Sequence, residues 1–300
     1  MKIAITGGSG FIGQKLTSQL ASSGHEVFIL TRNIDGKNPS EHVSYVEWLT
    51  DVAKPEKQLE GIDAFVNLAG ESIMGRWTDK KKQQIMNSRI EATQAVLEII
   101  KNLEAKPKVL VNASAIGYYG VSETKEFIEG STPETANFLS DVTERWEAEA
   151  AKASELGLRV VYGRIGIVLD KNEGALPKMV LPYKLLAGGT LGTGKQWVSW
   201  IHINDLAAMY QFALENDSVS GAFNITAPNP MQMIEFGHTI AKVMKRPHWL
   251  PAPSMAINIA LGEMSTLLLD GQKVFPRKAK ESGYTFTYSE LKPALEHLLG

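Results

Sequence analysis

Glycines at fixed spacing are the first residues of this chain whose type could do chemistry. After Met1-Lys2-Ile3-Ala4-Ile5-Thr6 come Gly7-Gly8-Ser9-Gly10-Phe11-Ile12-Gly13. Both Gly8-x-Gly10-x-x-Gly13 and Gly7-x-x-Gly10-x-x-Gly13 can be read there. A short apolar run precedes them, and Phe11, Ile12, Leu16 and Leu20 follow at helical spacing. Strand, glycine turn and helix is the context in which such glycines cradle a dinucleotide. A diphosphate must lie against bare backbone N–H groups at the helix N-terminus, where the helix dipole favours an anion. A Cβ on Gly8 or Gly10 would hold it away, and Gly13 lets the helix pack on its strand. The plainer alternative is a glycine turn without a ligand.

The second strand, Glu26 to Thr31, bears on which dinucleotide. An acid at its end would bind the ribose 2′-OH of NAD. The chain reads Thr31-Arg32-Asn33 instead, and Asp35 comes too late. An arginine fork pairs with a 2′-phosphate, so NADP(H) is favoured over NAD(H). A solvent-facing arginine is the alternative. Asp63 to Leu68 reads as a strand running into Ala69-Gly70-Glu71, where small residues let a cofactor lie across its end.

Around these sites the pattern alternates. Strands are expected at His42–Glu47, Val109–Asn112 and Leu158–Val168, and helices at Phe11–Ser22, Thr78–Lys101 and Asn137–Leu156. That alternation predicts a doubly wound parallel α/β sheet of Rossmann type. After Leu169 glycine and proline become more frequent. A strand is expected at Trp197–Ile203, a helix capped by Asp205 up to Glu215, a strand at Ala222–Thr226 and a helix at Met231–Met244. Residues 1–169 then form the dinucleotide domain, with 198–226 returning to it. Residues 170–197 and 227–300 form a smaller substrate lobe. Ala256 to Leu269 reads as a core helix, interrupted by Glu263 and too short to span a membrane.

Composition narrows the classes. The chain has 300 residues, 44% hydrophobic and 21% charged, with a net charge of −2. It carries no basic footprint for nucleic acid. With no cysteine, disulfides, thiolate catalysis and cysteine-ligated zinc are excluded. His202 has no second ligand at metal spacing, so no metal site is expected. A cytoplasmic protein without a membrane partner is the expectation.

Thr6–Gly13, Asn67-Leu68-Ala69-Gly70, and Ser114 followed by Tyr118-Tyr119-Gly120 resemble the extended short-chain dehydrogenase/reductase superfamily. The likeness is closer to its atypical branch of epimerase-family (YfcH-like) proteins. Its marks here are Asn67–Glu71, Ser88-Arg89, Trp146-Glu147, Gly192-x-Gly194-x-Gln196-Trp197, Ser199–Ile203, Thr226–Pro230 and Leu268-x-x-Gly271-Gln272-x-Val274-x-Pro276. The resemblance implies an NAD(P)-binding protein in which a Tyr, a Lys four residues on and a Ser do the chemistry. A neighbouring cation makes a phenol, ordinarily near pKa 10, a usable base.

Ser114 stands where that Ser should be, unless it is only a small residue closing a turn. The Tyr and Lys are missing: Phe138 or Leu139 takes the first position, and Val142 or Thr143 the second. The one Tyr-x-x-x-Lys present, Tyr288 to Lys292, is read as chance. Tyr118 is then the candidate acid/base, although one of Tyr118 and Tyr119 is expected to pack. Glu71 is a further candidate, or a cap. Arg89 is expected to reach the cofactor or an anionic substrate, unless it is an exposed helix arginine. The backbone of Ile167 and Val168 is expected at the nicotinamide amide. Trp77, Trp197, Trp200 and His202 line a substrate pocket or, for at least two of them, the core.

The cofactor set is therefore Gly7, Gly10, Phe11, Ile12, Gly13, Thr31, Arg32, Leu68, Ala69, Gly70, Glu71, Arg89, Ile167 and Val168. Two functions remain open. One is hydride transfer between NADP(H) and a carbonyl or alcohol, or an epimerisation cycle. The other is a cofactor-sensing scaffold that does not turn over. The substrate is an unknown small molecule, and a homodimer is expected only by analogy with the superfamily.

Overall fold

The structure, a computed structural model, describes residues 1–50 and 52–300. Strand β1 (Lys2–Thr6) leads through α1 (Phe11–Ser22) to β2 (Glu26–Thr31), β3 (Val43–Glu47) and β4 (Ala64–Asn67). Helix α2 (Asp79–Asn102), β5 (Val109–Ala115), the short β6 (Glu126–Phe127), α3 (Phe138–Ala151) and β7 (Arg159–Ile165) follow. Seven strands, closed by β11 (Gly221–Ile225), make one parallel sheet in the order β11-β7-β5-β4-β1-β2-β3. The chain winds outward from β1 to β3, then returns to the other side of β1 with β4. The crevice between β1 and β4 is thus the topological switch point, where open α/β sheets bind ligands.

The central strands are mostly apolar up to their carboxyl ends because both faces are covered. Ile3, Ile5, Val66, Val111 and Val161 face one core, completed by Leu16 and Leu20 of α1. Ala4, Phe65, Leu110 and Val160 face the other, under Ala92, Val96 and Ile100 of α2 and Ala150 of α3. The helices start where side chains relieve their open N–H groups. Thr78 accepts from Lys81 N at the head of α2, and Asn137 and Ser140 form a reciprocal box at the head of α3.

Beyond β7 the chain runs through β8 (Ile167–Leu169), α4 (Leu176–Lys184), β9 (Trp197–Val198), β10 (Trp200–His202) and α5 (Ile203–Glu215). After β11 come β12 (Met231–Gln232), α6 (Met233–Met244), α7 (Ser254–Leu261), α8 (Thr266–Leu269), β13 (Lys273–Val274), α9 (Arg277–Glu281) and α10 (Leu291–Leu299).

Several expected elements are corrected here. The strand expected at Leu158–Val168 breaks at Gly166, where a Cβ would stand 2.4 Å from the Ser199 carbonyl oxygen; beyond it β8 leaves the sheet to pair with β10. Trp197–Ile203 breaks at Ser199, whose hydroxyl donates to Gln272 O (2.8 Å) and accepts from Val274 N (2.9 Å). The helix expected from Met231 starts at Met233, because Met231 and Gln232 pair with β9. Ala256–Leu269 is no core helix: it breaks at Gly262, and Met255 and Ile259 are largely exposed.

Asp205 is not a cap either. His202 caps α5 by accepting from Asn204 N, and Asp205 lies buried in the first turn. Its carboxylate accepts from Thr287 N (2.9 Å), Tyr288 N (2.8 Å) and the Tyr284 hydroxyl (3.1 Å). It fastens the C-terminal segment to the sheet domain. The outer edge of β11 is closed by Lys278 of α9 and by Glu129, which follows β6. Lys278 Nζ donates to Ser220 O (2.5 Å) and Ala222 O (2.6 Å), and Asn224 N donates to Glu129 Oε1 (3.2 Å). Uncovered, that edge would template a foreign strand.

Removing the Asp205 carboxylate strands two backbone donors. Asp205→Ala is expected to cost about 3 kcal/mol or more in urea denaturation, and to make residues 284–290 cleavable by protease under native conditions. His202 supplies a pH signature. It is fully buried, its Nδ1 accepts from Asn204 N, and its Nε2 lies 3.1 Å from His297 Nδ1. Burial, then the charge of His297, lowers its pKa to about 4. The unfolded chain therefore takes up a proton that the folded one refuses, so stability falls as pH drops below about 6.5. Between pH 7 and pH 5 we expect a loss of about 2 kcal/mol, absent from the His202→Asn variant in the same titration of unfolding midpoints.

Candidate active site

The turn after β1 is wound as tightly as its glycines permit. Gly7 has φ +68°, and a Cβ there would stand 2.9 Å from the Leu68 carbonyl carbon and oxygen. Gly10 N donates to Gly7 O (3.0 Å). A Cβ on Gly13 would fall 2.1 Å from the same Gly7 oxygen, so α1 can begin there only without one. A Cβ on Gly8 would also stand 2.9 Å from the Ile29 side chain. Helix α1 has Gly10 as N-cap, no side-chain cap and no acid in its first turn. Its leading N–H groups, those of Phe11 and Ile12 among them, are left to an external acceptor. The cradle fits a diphosphate.

A buried row of polar side chains sets the height of this edge. The Thr6 hydroxyl donates to Asn67 Oδ1 (2.6 Å), and Asn67 Nδ2 donates to Asn112 Oδ1 (2.7 Å) and Thr93 Oγ1 (3.0 Å). Trp146 Nε1 also donates to Thr93 Oγ1 (3.1 Å). Leu68 N and Ala69 N return to Thr6 Oγ1 at 3.2 and 3.3 Å. The ends of β1, β4 and β5 are thereby tied to α2 and α3.

On the β2 side Arg32 is exposed and forms no ion pair among the described residues. The Thr31 hydroxyl is turned to Asn33 O (3.0 Å). On the β4 side Glu71 is held by Lys81 Nζ at 2.6 Å, and that bond keeps its carboxyl below the usual range. A carboxylate so held is a poor proton carrier. Arg89 NH1 donates to Glu71 O (3.0 Å) and Ile85 O (2.9 Å), and its guanidinium stacks on Trp146. Burial pulls its pKa down to about 10, against the charge of Glu71. Arg89 thus props the loop of Gly70, where a Cβ would stand 3.1 Å from its Cγ. Ile167 and Val168 lie in β8, and Ile167 N is spent on Ser199 O (2.8 Å).

Of the four positions where the resemblance would put the Tyr and Lys, Thr143 donates its hydroxyl to Leu139 O (2.9 Å) and the other three are apolar. Phe138, Leu139 and Val142 pack with Trp77, Ile73, Ile85, Met264 and Leu267. Lys82 pairs with Glu263, drawing the 262–269 segment over this cluster. Trp77 and Trp200 are buried, as is His202, and Tyr288 stacks on the His202 ring at 3.8 Å. Trp197 is half-buried and donates to Glu123 O (2.8 Å).

Ser114 lies at the end of β5, within a buried polar network. Its hydroxyl is buried and donates to Glu147 Oε1 (2.6 Å). Arg164, its register partner on β7, grips Glu147 with Nε and NH2, both at 2.8 Å. Burial opposes the Arg164 charge, but the bonds to Glu147 and Tyr119 outweigh it and hold the guanidinium above its ordinary pKa. Arg164 NH1 also donates to the Tyr119 hydroxyl (3.0 Å), which donates to Asn224 Oδ1 (2.7 Å). Tyr119 is the packing member of the tyrosine pair, its phenol pushed up to about 12 by burial. The half-buried Tyr118 ring lies on the Arg164 guanidinium, 3.4 Å from centroid to carbon. Its hydroxyl has no hydrogen-bond partner among the described residues.

Glu147, Arg164 and Asn224 were missed as site residues. A signal for Arg164 was there: it is a charged side chain near the carboxyl end of a mostly apolar strand, and such a charge needs a buried partner.

Comparison with known proteins places the chain. The model of the NAD dependent epimerase/dehydratase family matches residues 3–226, and a domain of unknown function, DUF1731, matches residues 252–298. Epimerase family protein YfhF of Bacillus subtilis strain 168 is 51% identical over 299 residues, 100% of this chain and 98% of that one. An epimerase family protein of Staphylococcus aureus strain N315 is 45% identical over 295 residues, 98% of each chain. The crystal structure of human epimerase family protein SDR39U1 (isoform 2) with NADPH superposes with a TM-score of 0.86 at 33% identity, covering 99% of both chains. UDP-glucuronic acid 4-epimerase from Bacillus cereus, solved with UDP-glucuronic acid and NAD, shares the fold with a TM-score of 0.78 at 18% identity, covering 99% of this chain and 98% of that one. The chain belongs to the NAD dependent epimerase/dehydratase family, of extended short-chain dehydrogenase/reductase architecture.

Proposed function

We propose that the chain is an NADP(H)-dependent oxidoreductase, or an epimerase-like enzyme, acting on a carbonyl or alcohol compound without a Tyr-x-x-x-Lys pair. The uncapped start of α1, wound against Gly7 beside the β1/β4 switch point, carries this reading. In it, the N–H groups of Phe11 and Ile12 hold the diphosphate, Thr31 and Arg32 the adenosine ribose with its 2′-phosphate, and Leu68, Ala69 and Gly70 border the path. Arg89 fixes the loop of Gly70 and Glu71. A nicotinamide bound there supplies hydride transfer. The 33%-identical human relative, solved with NADPH, supports the choice of NADP(H).

Tyr118 is the proposed proton carrier, because its hydroxyl is free and its ring rests on a cation. Ser114 acts as a positioning residue: it holds Glu147, which holds Arg164, which supports Tyr118. In this reading the protein pairs as a homodimer through α2 and α3, whose outer faces form a groove of about 610 Å³ lined by Met86, Ile90, Arg145 and Ala148, among others. One observation favours a second reading, cofactor sensing without turnover. The Phe138–Leu139–Val142 cluster lies under Met264 and Leu267, where a proton-carrying pair would be needed.

Calorimetry separates cofactor binding from accident. NADPH is expected to bind at least tenfold tighter than NADH, and Arg32→Ala to erase about ten- to a hundredfold of NADPH affinity. Gly10→Val makes a sharp control. Gly10 lies outside the positive-φ region, and its nearest neighbour to an added Cβ is Gly7 O at 3.3 Å. The variant should therefore fold yet bind no NADPH; heat from neither cofactor with the parent chain would remove the proposal. For turnover, NADPH oxidation across a carbonyl panel should fall about a hundredfold or more in Tyr118→Phe with NADPH affinity unchanged. Tight binding with no oxidation of any panel member would select the sensing reading instead.

A further inference from the structure

Charge is unevenly spread along this chain. Residues 174–204 and 236–262 contain no Asp or Glu, yet they carry Lys178, Lys184, Lys195, Lys242, Lys245 and Arg246, while the whole chain stands at −2. All six side chains are exposed. Among the described residues none of the six forms an ion pair, although lysines and arginines elsewhere pair repeatedly. The bordering acids are Glu173, Asp205, Glu235 and Glu263. Asp205 is buried, and Glu263 is taken by Lys82.

The same stretches expose large apolar side chains. Leu181 is 52% exposed, Leu185 68%, Leu186 50%, Trp249 66% and Leu250 48%. They form one surface. Leu181 and Leu185 are one turn apart at the end of α4, and the Trp249 indole N–H donates to Leu186 O (2.9 Å). Trp249 N and Leu250 N both donate to Gly188 O, at 2.9 and 3.1 Å. The two loops press together so closely that a Cβ on Gly189 would fall 1.9 Å from Leu250 O. Beneath them, His248 bridges the Tyr183 hydroxyl (3.0 Å) and the Thr190 hydroxyl (3.1 Å). The backbone of the two loops is thus pinned together. Exposure of this kind on a folded surface marks an interaction site.

We propose that this face docks the protein on an anionic lipid bilayer. Leucines and a tryptophan in two acid-free stretches, with Lys184 beside Leu185 and with Lys245 and Arg246 shortly before Trp249, match the interface of a negatively charged leaflet. The apolar tips enter the headgroup region, and each Lys or Arg gains from the surface potential. Because Leu186 O already satisfies the indole N–H, Trp249 can sit at that depth without an unmet donor. Six exposed, unpaired cations distributed over two acid-free stretches suit an extended anionic surface better than one acidic partner chain. No described helix is long and apolar enough to cross a membrane, and peripheral docking requires none.

Vesicle sedimentation with the full chain tests this. At low salt the protein should pellet with phosphatidylglycerol/phosphatidylcholine vesicles, should stay in solution with pure phosphatidylcholine, and should be released as salt is raised. Joint replacement K184Q, K245Q and R246Q should weaken partitioning by about a hundredfold. L185S with W249S should weaken it at least tenfold and abolish any blue shift of tryptophan emission. Both variants should keep the parent's melting temperature and NADPH affinity, which shows that the fold survives. The proposal is overturned if the parent ignores anionic vesicles, or if binding is unchanged in either folded variant. It is equally overturned if ultracentrifugation shows the face closing on a second copy, or if it captures an acidic protein while vesicles stay unbound.

Discussion

Three buried side chains at the carboxyl end of the sheet, Thr6, Asn67 and Asn112, must satisfy one another, because nothing apolar around them can. Each sits level with the next in parallel register on β1, β4 and β5. Water cannot reach any of them, so the Asn67 amide has to find Thr6 on one side and Asn112 and Thr93 on the other. A one-residue slip in any strand would strand amide groups at a cost of roughly 1–3 kcal/mol each. The glycine turn, the Leu68–Glu71 loop and the loop after β5 all leave from this row. Through Thr93 and Trp146 the two long helices share the same constraint.

A second network continues the pattern outward. Ser114, Arg164 and Asn224 are register partners across β5, β7 and β11, and Glu147 descends from α3 to meet them. The buried charge of Arg164 is tolerable because Glu147 opposes it with two bonds and two tyrosine rings cover it. Helix α3 presents Phe138, Leu139 and Val142 to an apolar cluster, and the buried polar groups lie beneath the loop of Tyr118 instead.

Local chemistry made much of this legible. The inner strands β1, β4 and β5 are built on short apolar runs, α2 and α3 begin at Thr78 and Asn137, and the glycine spacing marks the turn into α1. All of these depend on neighbours a few positions away. Contacts across long sequence distance were illegible. Asp205 looked like a cap because aspartate before an apolar run often is one, whereas its partners lie some eighty positions on. Gly166 and Ser199 looked like strand residues because only their mutual crossing makes them breaks. Ser114 was placed on the correct strand, but one sequence cannot tell which side of that strand its hydroxyl serves. The apolar run after Ala256 read as core because hydrophobicity by itself does not distinguish burial from presentation.

The covering of β11 by Lys278 also orders events in time. That strand is synthesised more than fifty residues before the lysine whose ammonium reaches its carbonyl oxygens. At a translation rate of roughly 5–20 residues per second, the nascent domain waits several seconds with its last strand bare. Asp205 waits longer still for Thr287 and Tyr288. Residues 278–288 are therefore the seam that closes that interval.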